Sequence, residues 1–150
     1  MEFPVLDPLK PRDVGEISRT LVTMDPWLTL GYTPEAFSHY LLRSDPALVR
    51  YSVIVSGRLS GILAVRFPWL FGPFIELIAL FDGCRGRGLG RALIDRTCTL
   101  YPSSPNIWAT VSTFNLDARK FYTRLGFESI TVLKDLVQTG RDETLLRKRI

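Results

Sequence analysis

A mixed α/β domain is the fold class this sequence predicts, and three observations predict it. Runs rich in β-branched and aromatic residues recur at 49–55, 59–67, 74–81 and 107–113, each bounded by turn residues. Segments 89–100 and 116–125 instead repeat apolar residues at helical spacing. Read in order, the elements run β-αα-βββ-α-β-α-ββ.

Each element has a local reason. Residues 3–9 form a short strand limited by proline. Asp13 is placed to cap a helix reaching about Met24, with Glu16 as its capping-box partner. Asp25-Pro26 then breaks the chain. Thr33-Pro34-Glu35 opens a second helix, with proline where its missing N–H matters least, and Asp45-Pro46 ends it. Ser56-Gly57 separates the runs 49–55 and 59–67 as a hairpin turn. Leu89, Leu93, Ile94 and Leu100 share one face of the next helix, which Pro102 and Pro105 stop. In 116–125, Ala118, Phe121, Tyr122 and Leu125 fall at i, i+3, i+4 and i+7, and Gly126 ends the helix. Runs 127–137 and 143–150 make a last pair of strands.

Composition narrows the function. The chain of 150 residues is 46% hydrophobic and 11% aromatic, enough for one packed domain over 1–150. Two cysteines, Cys84 and Cys98, make neither a disulfide framework nor a zinc pattern, so no metal is expected. The N-terminus carries no signal-peptide pattern, and the apolar stretch 67–81 is interrupted by Pro68, Gly72, Pro73 and Glu76. A soluble cytoplasmic protein without a membrane partner is expected, monomeric or homodimeric. The net charge of +4 concentrates in Arg85, Arg87, Arg91 and Arg96. Such a local cluster suits a phosphate pocket better than a nucleic-acid footprint.

That cluster is Gly83-Cys84-Arg85-Gly86-Arg87-Gly88-Leu89-Gly90-Arg91, between a strand and a helix. It is not a Walker loop, and Arg91 stands where a dinucleotide fingerprint needs its third glycine. Glycines let the backbone approach a ligand, and a helix start offers unpaired N–H groups and the positive end of its dipole. Together they bind pyrophosphate. On these residues alone, an ordinary glycine-rich turn with solvated arginines also stands.

The segment 85–91, of the form [QR]-x-x-G-x-[GA], resembles the acetyl-CoA signature of the GNAT superfamily of N-acetyltransferases. The segment 115–127, from Asn115 through Ala118, Phe121 and Tyr122 to Gly126-Phe127, resembles the family's second motif, N-x-x-A-x-x-[FL]-Y-x-x-x-G-F. The resemblance implies the GNAT fold, a mixed and mostly antiparallel sheet of about seven strands with about four helices. It implies an enzyme that moves the acetyl group of acetyl-CoA to a primary amine by direct attack, without a metal. A catalytically silent acyl-CoA sensor is the alternative; a basic RNA-binding module is a third, disfavoured because its aromatics read as strand core.

Site roles follow from the same resemblance. The backbone at Ile78, Ala79 and Leu80 would pair with the pantetheine arm, and the Leu80 N–H would polarise the thioester carbonyl. Arg85, Gly86, Arg87, Gly88, Leu89, Gly90 and Arg91 would hold the pyrophosphate, and Asn115 would touch the cofactor where two strands splay. Tyr122 would be the general acid; a core aromatic is the other reading. Relatives with a catalytic carboxylate five residues before the asparagine find Thr110 here, so that base does not carry over. Glu76 is the local candidate for it, the one carboxylate in an apolar strand, sharing a face with Ile78 and Leu80 by simple alternation. It reads equally as a strand residue facing solvent or a neutral partner. His39 reads as a surface residue and Cys84 as non-catalytic. The acceptor side is the segment 24–32, where Trp27 and Tyr32 suit either an acceptor or core packing.

Overall fold

The computed structural model describes residues 2–150. Its elements are β1 (Val5–Pro8), α1 (Pro11–Leu21), α2 (Trp27–Leu30), α3 (Pro34–Leu42), β2 (Leu48–Val55), β3 (Arg58–Arg66), β4 (Phe74–Leu80), α4 (Leu89–Leu100), β5 (Asn106–Ser112), α5 (Leu116–Arg124), β6 (Glu128–Gln138) and β7 (Arg141–Arg149). The strands form one seven-stranded sheet among the described residues, in the order β1-β2-β3-β4-β5-β7-β6. All neighbours are antiparallel except β4 and β5. The mixed, mostly antiparallel α/β fold is thus as expected, with five helices rather than four.

Two helical layers cover the sheet because its strands present apolar residues to both faces. Leu89, Leu93 and Ile94 of α4 and Tyr122 of α5 pack with Val53, Leu63, Ile107, Ala109 and Val111 on one face. Val14, Ile17 and Leu21 of α1 and Phe37 and Leu41 of α3 pack with Ile62, Ala64, Leu77 and Ala79 on the other. On α4 the fourth buried position is Thr97, whose hydroxyl bonds the Leu93 carbonyl, and Leu100 is partly exposed.

Three local readings are corrected. Helix α1 starts at Pro11 with Lys10 as its cap, so Asp13 sits inside the first turn, complementing the dipole rather than capping. The break at Asp25-Pro26 also starts a short helix: Asp25 Oδ1 accepts from the Thr29 N–H at 3.0 Å, which closes α2. The third correction is a bulge. Ala64 pairs with Leu77 and Val65 with Ile75, so Glu76 is an extra residue on β4. By contrast Thr33 and Pro34 open α3 as expected, the threonine hydroxyl accepting from Ala36 N–H at 3.1 Å.

The sheet also explains one glycine. A Cβ on Gly61 would lie 2.2 Å from the Ala79 carbonyl oxygen, a backbone atom that can move only by parting β3 from β4. Gly61→Ala is therefore expected to destabilise the fold by about 1–3 kcal/mol, as overpacking does. A urea titration checks it: the midpoint falls while the slope holds. An unchanged midpoint would mean that the two strands yield freely.

Candidate active site

The parallel pair β4–β5 stays in register only at its start, Phe74 with Trp108 and Ile75 with Ala109. Beyond Ile75 the strands diverge, β4 running on to Leu80 and β5 to Ser112, and a wedge opens in the sheet. The backbone of β4 is oriented toward it. Phe81 N–H donates to the Ser60 carbonyl at 2.8 Å, and the Ala79 carbonyl faces Gly61, so both point to β3. Alternation then turns the Leu80 N–H and carbonyl toward the wedge. The Arg85 Nε–H donates to that carbonyl at 3.3 Å, and the Leu80 N–H is left open.

At the wide end of the wedge the chain turns through Gly83, Gly86 and Gly88, with φ of 87°, 74° and 76°. No neighbour would meet a Cβ at any of the three, so backbone conformation, not space, requires glycine there. Gly88 caps α4 with no side-chain hydrogen bond, and the first turn has no acidic residue. Among the described residues, the backbone N–H groups from Arg85 to Arg91 have no acceptor; the first to find one is Ala92, on the Gly88 carbonyl. Such a run of open amides at a helix start fits a polyanion such as a pyrophosphate. Arg87 forms an ion pair with Glu2 and donates to the Gly83 carbonyl, which spends part of its charge locally. Gly90 has a different reason: a Cβ there would press 2.9 Å from the Phe121 ring, so its absence seats α5 against α4.

Tyr122 is 5% exposed and lies between Phe121 and Phe127, edge-on to both at 5.1 and 5.2 Å. Burial holds its hydroxyl above the usual phenol range, making it a weaker acid than a free phenol, protonated at neutral pH as any phenol is. Its Oη has no hydrogen-bond partner among the described residues. Ile78 and Leu80 border the same cluster. Asn115 caps α5, its Oδ1 accepting from Ala118 N–H at 3.2 Å, so only its amide nitrogen is free for a ligand.

The bulge changes the reading of Glu76. It shares the face of Leu77 and Ala79, toward α3, not that of Ile78 and Leu80. There Arg66 Nε and Nη2 donate to its two oxygens at 2.6 and 3.3 Å, and the Tyr40 hydroxyl donates at 3.2 Å. Arg66 also grips Asp45 at 2.9 Å, and that hydrogen bond holds the Asp45 carboxyl below its usual range. Glu76 is thus the hub of a polar tie between β3, β4 and α3. Trp27 and Tyr32 both pack on Phe37, at 5.9 and 5.2 Å.

One carboxylate at this end of the sheet was not singled out from the sequence. Glu143 of β7 pairs with Ser112, the last residue of β5. It is 7% exposed, its Oε2 has no partner, and burial raises its pKa above the ordinary 4.5. Among the described residues no group of His, Cys, Asp and Glu could hold a metal, and no helix is long and apolar enough to cross a membrane.

Residues 16–127 match the Acetyltransferase (GNAT) family. The chain belongs to that family. A relative 31% identical over 102 residues, an uncharacterized N-acetyltransferase of Methanocaldococcus jannaschii, matches 66% of this GNAT chain and 65% of its own length. Two solved structures share the GNAT fold. An acetyltransferase from Thermus thermophilus covers both chains fully, with a TM-score of 0.79 at 21% identity. Arabidopsis thaliana Naa50, bound to the bisubstrate analogue CoA-Ac-MVNAL, covers 98% of this chain and 99% of its own, with a TM-score of 0.72 at 18% identity.

Proposed function

We propose that this GNAT protein transfers the acetyl group of acetyl-CoA to a primary amine, of a small molecule or a peptide, in a ternary complex. The observation that carries the reading is the run of open amides from Arg85 to Arg91 at the mouth of the β4–β5 wedge. Those amides would take the pyrophosphate, with Arg85 and Arg91 adding charge and Arg87 less. The wedge-facing backbone of Ile78 to Leu80 would run beside the pantetheine arm, and the Leu80 N–H would stabilise the negative charge that builds on the thioester oxygen. Asn115 Nδ2 would contact the same ligand. Tyr122, protonated at neutral pH, would give its proton to the departing sulfur.

Two measurements test this. Acetyl-CoA, present well above its Kd, should raise the melting temperature by linkage. Thiol release is then scored with butylamine, spermidine, glycinamide and the peptide Met-Val-Asn-Ala-Leu, which the analogue on the Arabidopsis neighbour carries. Amine-dependent release is expected. A melting shift with no release from any amine marks a silent acyl-CoA sensor, and no shift at all overturns the reading.

A further inference from the structure

Strand alternation places Glu143. Ile107, Ala109 and Val111 of β5 and Leu146 of β7 face α4 and α5. Their neighbours Thr110 and Ser112, with Leu145 and Glu143 paired to them, therefore face the opposite side. Arg147, two beyond Leu145 on β7, confirms that parity, since its guanidinium lies 5.7 Å over the Trp108 ring. Glu143 thus stands on the sheet face that Leu77 and Ala79 occupy across the wedge, at the end where β5 has parted from β4.

Its surroundings among the described residues give it no cation. Ser112 faces it from β5; its hydroxyl completes no hydrogen bond of good geometry but lies close enough to Glu143 to offset part of the upward shift that burial causes. Leu133 opposes it from β6, and Leu145 follows on its own strand. Arg141, two residues before, lies over the Phe114 ring at 5.1 Å. No Lys or Arg among the described residues makes a salt bridge to Glu143. From the segment between α2 and α3, Tyr32 lies near enough for the Glu143 charge to raise its hydroxyl pKa further, after burial itself. The β6–β7 hairpin is tied to this segment, since Gln138 Nε2 donates to the Leu30 carbonyl at 3.1 Å. A buried, unpaired carboxylate beside an aromatic ring is what an alkylammonium requires: a counter-charge and a π face.

We propose that Glu143 is the proton acceptor of the amine site, binding the incoming ammonium below Tyr32 and taking its proton. The inference rests on the acetyltransferase reading. One proton passes from the ammonium to Glu143 Oε1, the oxygen not enclosed by protein, and the nitrogen lone pair so freed bonds to the thioester carbonyl carbon. The carbon–sulfur bond breaks, and sulfur takes the Tyr122 proton. The second proton shed by nitrogen restores Tyr122 through solvent, and Glu143 releases its own to water. Glu76 does not serve, because Arg66 and Tyr40 occupy its oxygens.

The test is the pH profile of kcat/KM, at saturating acetyl-CoA, for the fastest panel amine with wild type, Glu143→Gln, Glu143→Asp and Glu76→Gln. Glu143→Gln should lose about 100-fold, within the range of general bases, and lose the acid limb. Glu143→Asp should keep the limb at a lower rate, and acetyl-CoA affinity should not move. Folding is read separately. Since burial raises the folded pKa above the unfolded one, the folded chain binds that proton more tightly, and stability falls as pH rises through the folded value. Glu143→Gln removes this penalty, so it should melt above wild type at pH 8, with the gain vanishing below about pH 4. An acid limb that survives in Glu143→Gln, or disappears in Glu76→Gln instead, overturns the proposal alone. A wild type inactive on every amine overturns the acetyltransferase reading and this inference with it.

Discussion

Gly88→Asp is expected to weaken acetyl-CoA binding by at least about 100-fold while Arg87→Ala weakens it less than about fivefold. The asymmetry follows from where the binding energy resides. Backbone N–H groups from Arg85 to Arg91 supply the donors, and they have no competing acceptor among the described residues. A carboxylate at the cap of α4 would take some of those donors and set a negative charge against the pyrophosphate. At about 4 Å and an effective dielectric near 20, that repulsion is about 4 kcal/mol, more than enough for the predicted loss. Crowding is not the cause, since a Cβ at Gly88 meets nothing within 4 Å. The φ of 76° adds about 1 kcal/mol of backbone strain for a residue other than glycine. That strain is small against the stability of a domain, so the variant should fold. Arg87 already shares its charge with Glu2 and is substantially exposed, so its removal changes less. Calorimetry on the folded variants checks this; equal losses would mean that side-chain charge, not the backbone, holds the phosphates.

The phosphate loop was legible because its chemistry is local. Closely spaced glycines after a strand and before a helix state their purpose in the residues themselves, and Gly83, Gly86 and Gly88 all take the left-handed backbone that only glycine adopts freely. Strand positions and helix faces were legible for the same reason. Features set by pairing between distant strands were not. Glu76 changes face because β4 carries one residue more than β3 between two pairings, and nothing in the residues 74–80 records what β3 does opposite them. The wedge is likewise a property of two strands 26 or more residues apart that part after Ile75 and Ala109. Arg66 as the partner of Glu76 depends on the same register.

Glu143 lies between these cases. Counting back from Leu146 by twos places Thr144 inward toward α5 and leaves Glu143 on the other face, so its side was readable. Its importance was not, because that depends on β7 lying next to β5, and Thr110 is the β5 residue where a carboxylate was sought. Thr110 pairs with Leu145, which makes Glu143 its diagonal neighbour, about 7–8 Å away in an antiparallel pair. A carboxylate one strand over serves the same end of the wedge. Asn115 carries a second task that its position before 116–125 announced: its side chain caps α5.

Tyr122→Phe should keep acetyl-CoA affinity and stability and lose about 100-fold in kcat. The ring is what the fold needs. It fills the space between Phe121 and Phe127 and touches the cluster that α4 and α5 share, and phenylalanine supplies the same edge-on contacts. The hydroxyl contributes no hydrogen bond among the described residues, so its loss leaves no donor or acceptor stranded. Its oxygen is not among the buried atoms left without a partner, so the ring is buried while the hydroxyl stays within reach of solvent or a ligand. A proton acceptor that reaches it there gives it a catalytic use. A thiolate leaving the wedge beside Ile78 and Leu80 is such an acceptor, and a phenol holds its proton at neutral pH. Single-turnover kinetics separate the chemical step from product release. A slowed acetyl-transfer step with an unchanged melting temperature is the expected result. If transfer keeps its wild-type rate, the hydroxyl is idle and Tyr122 belongs to the core alone.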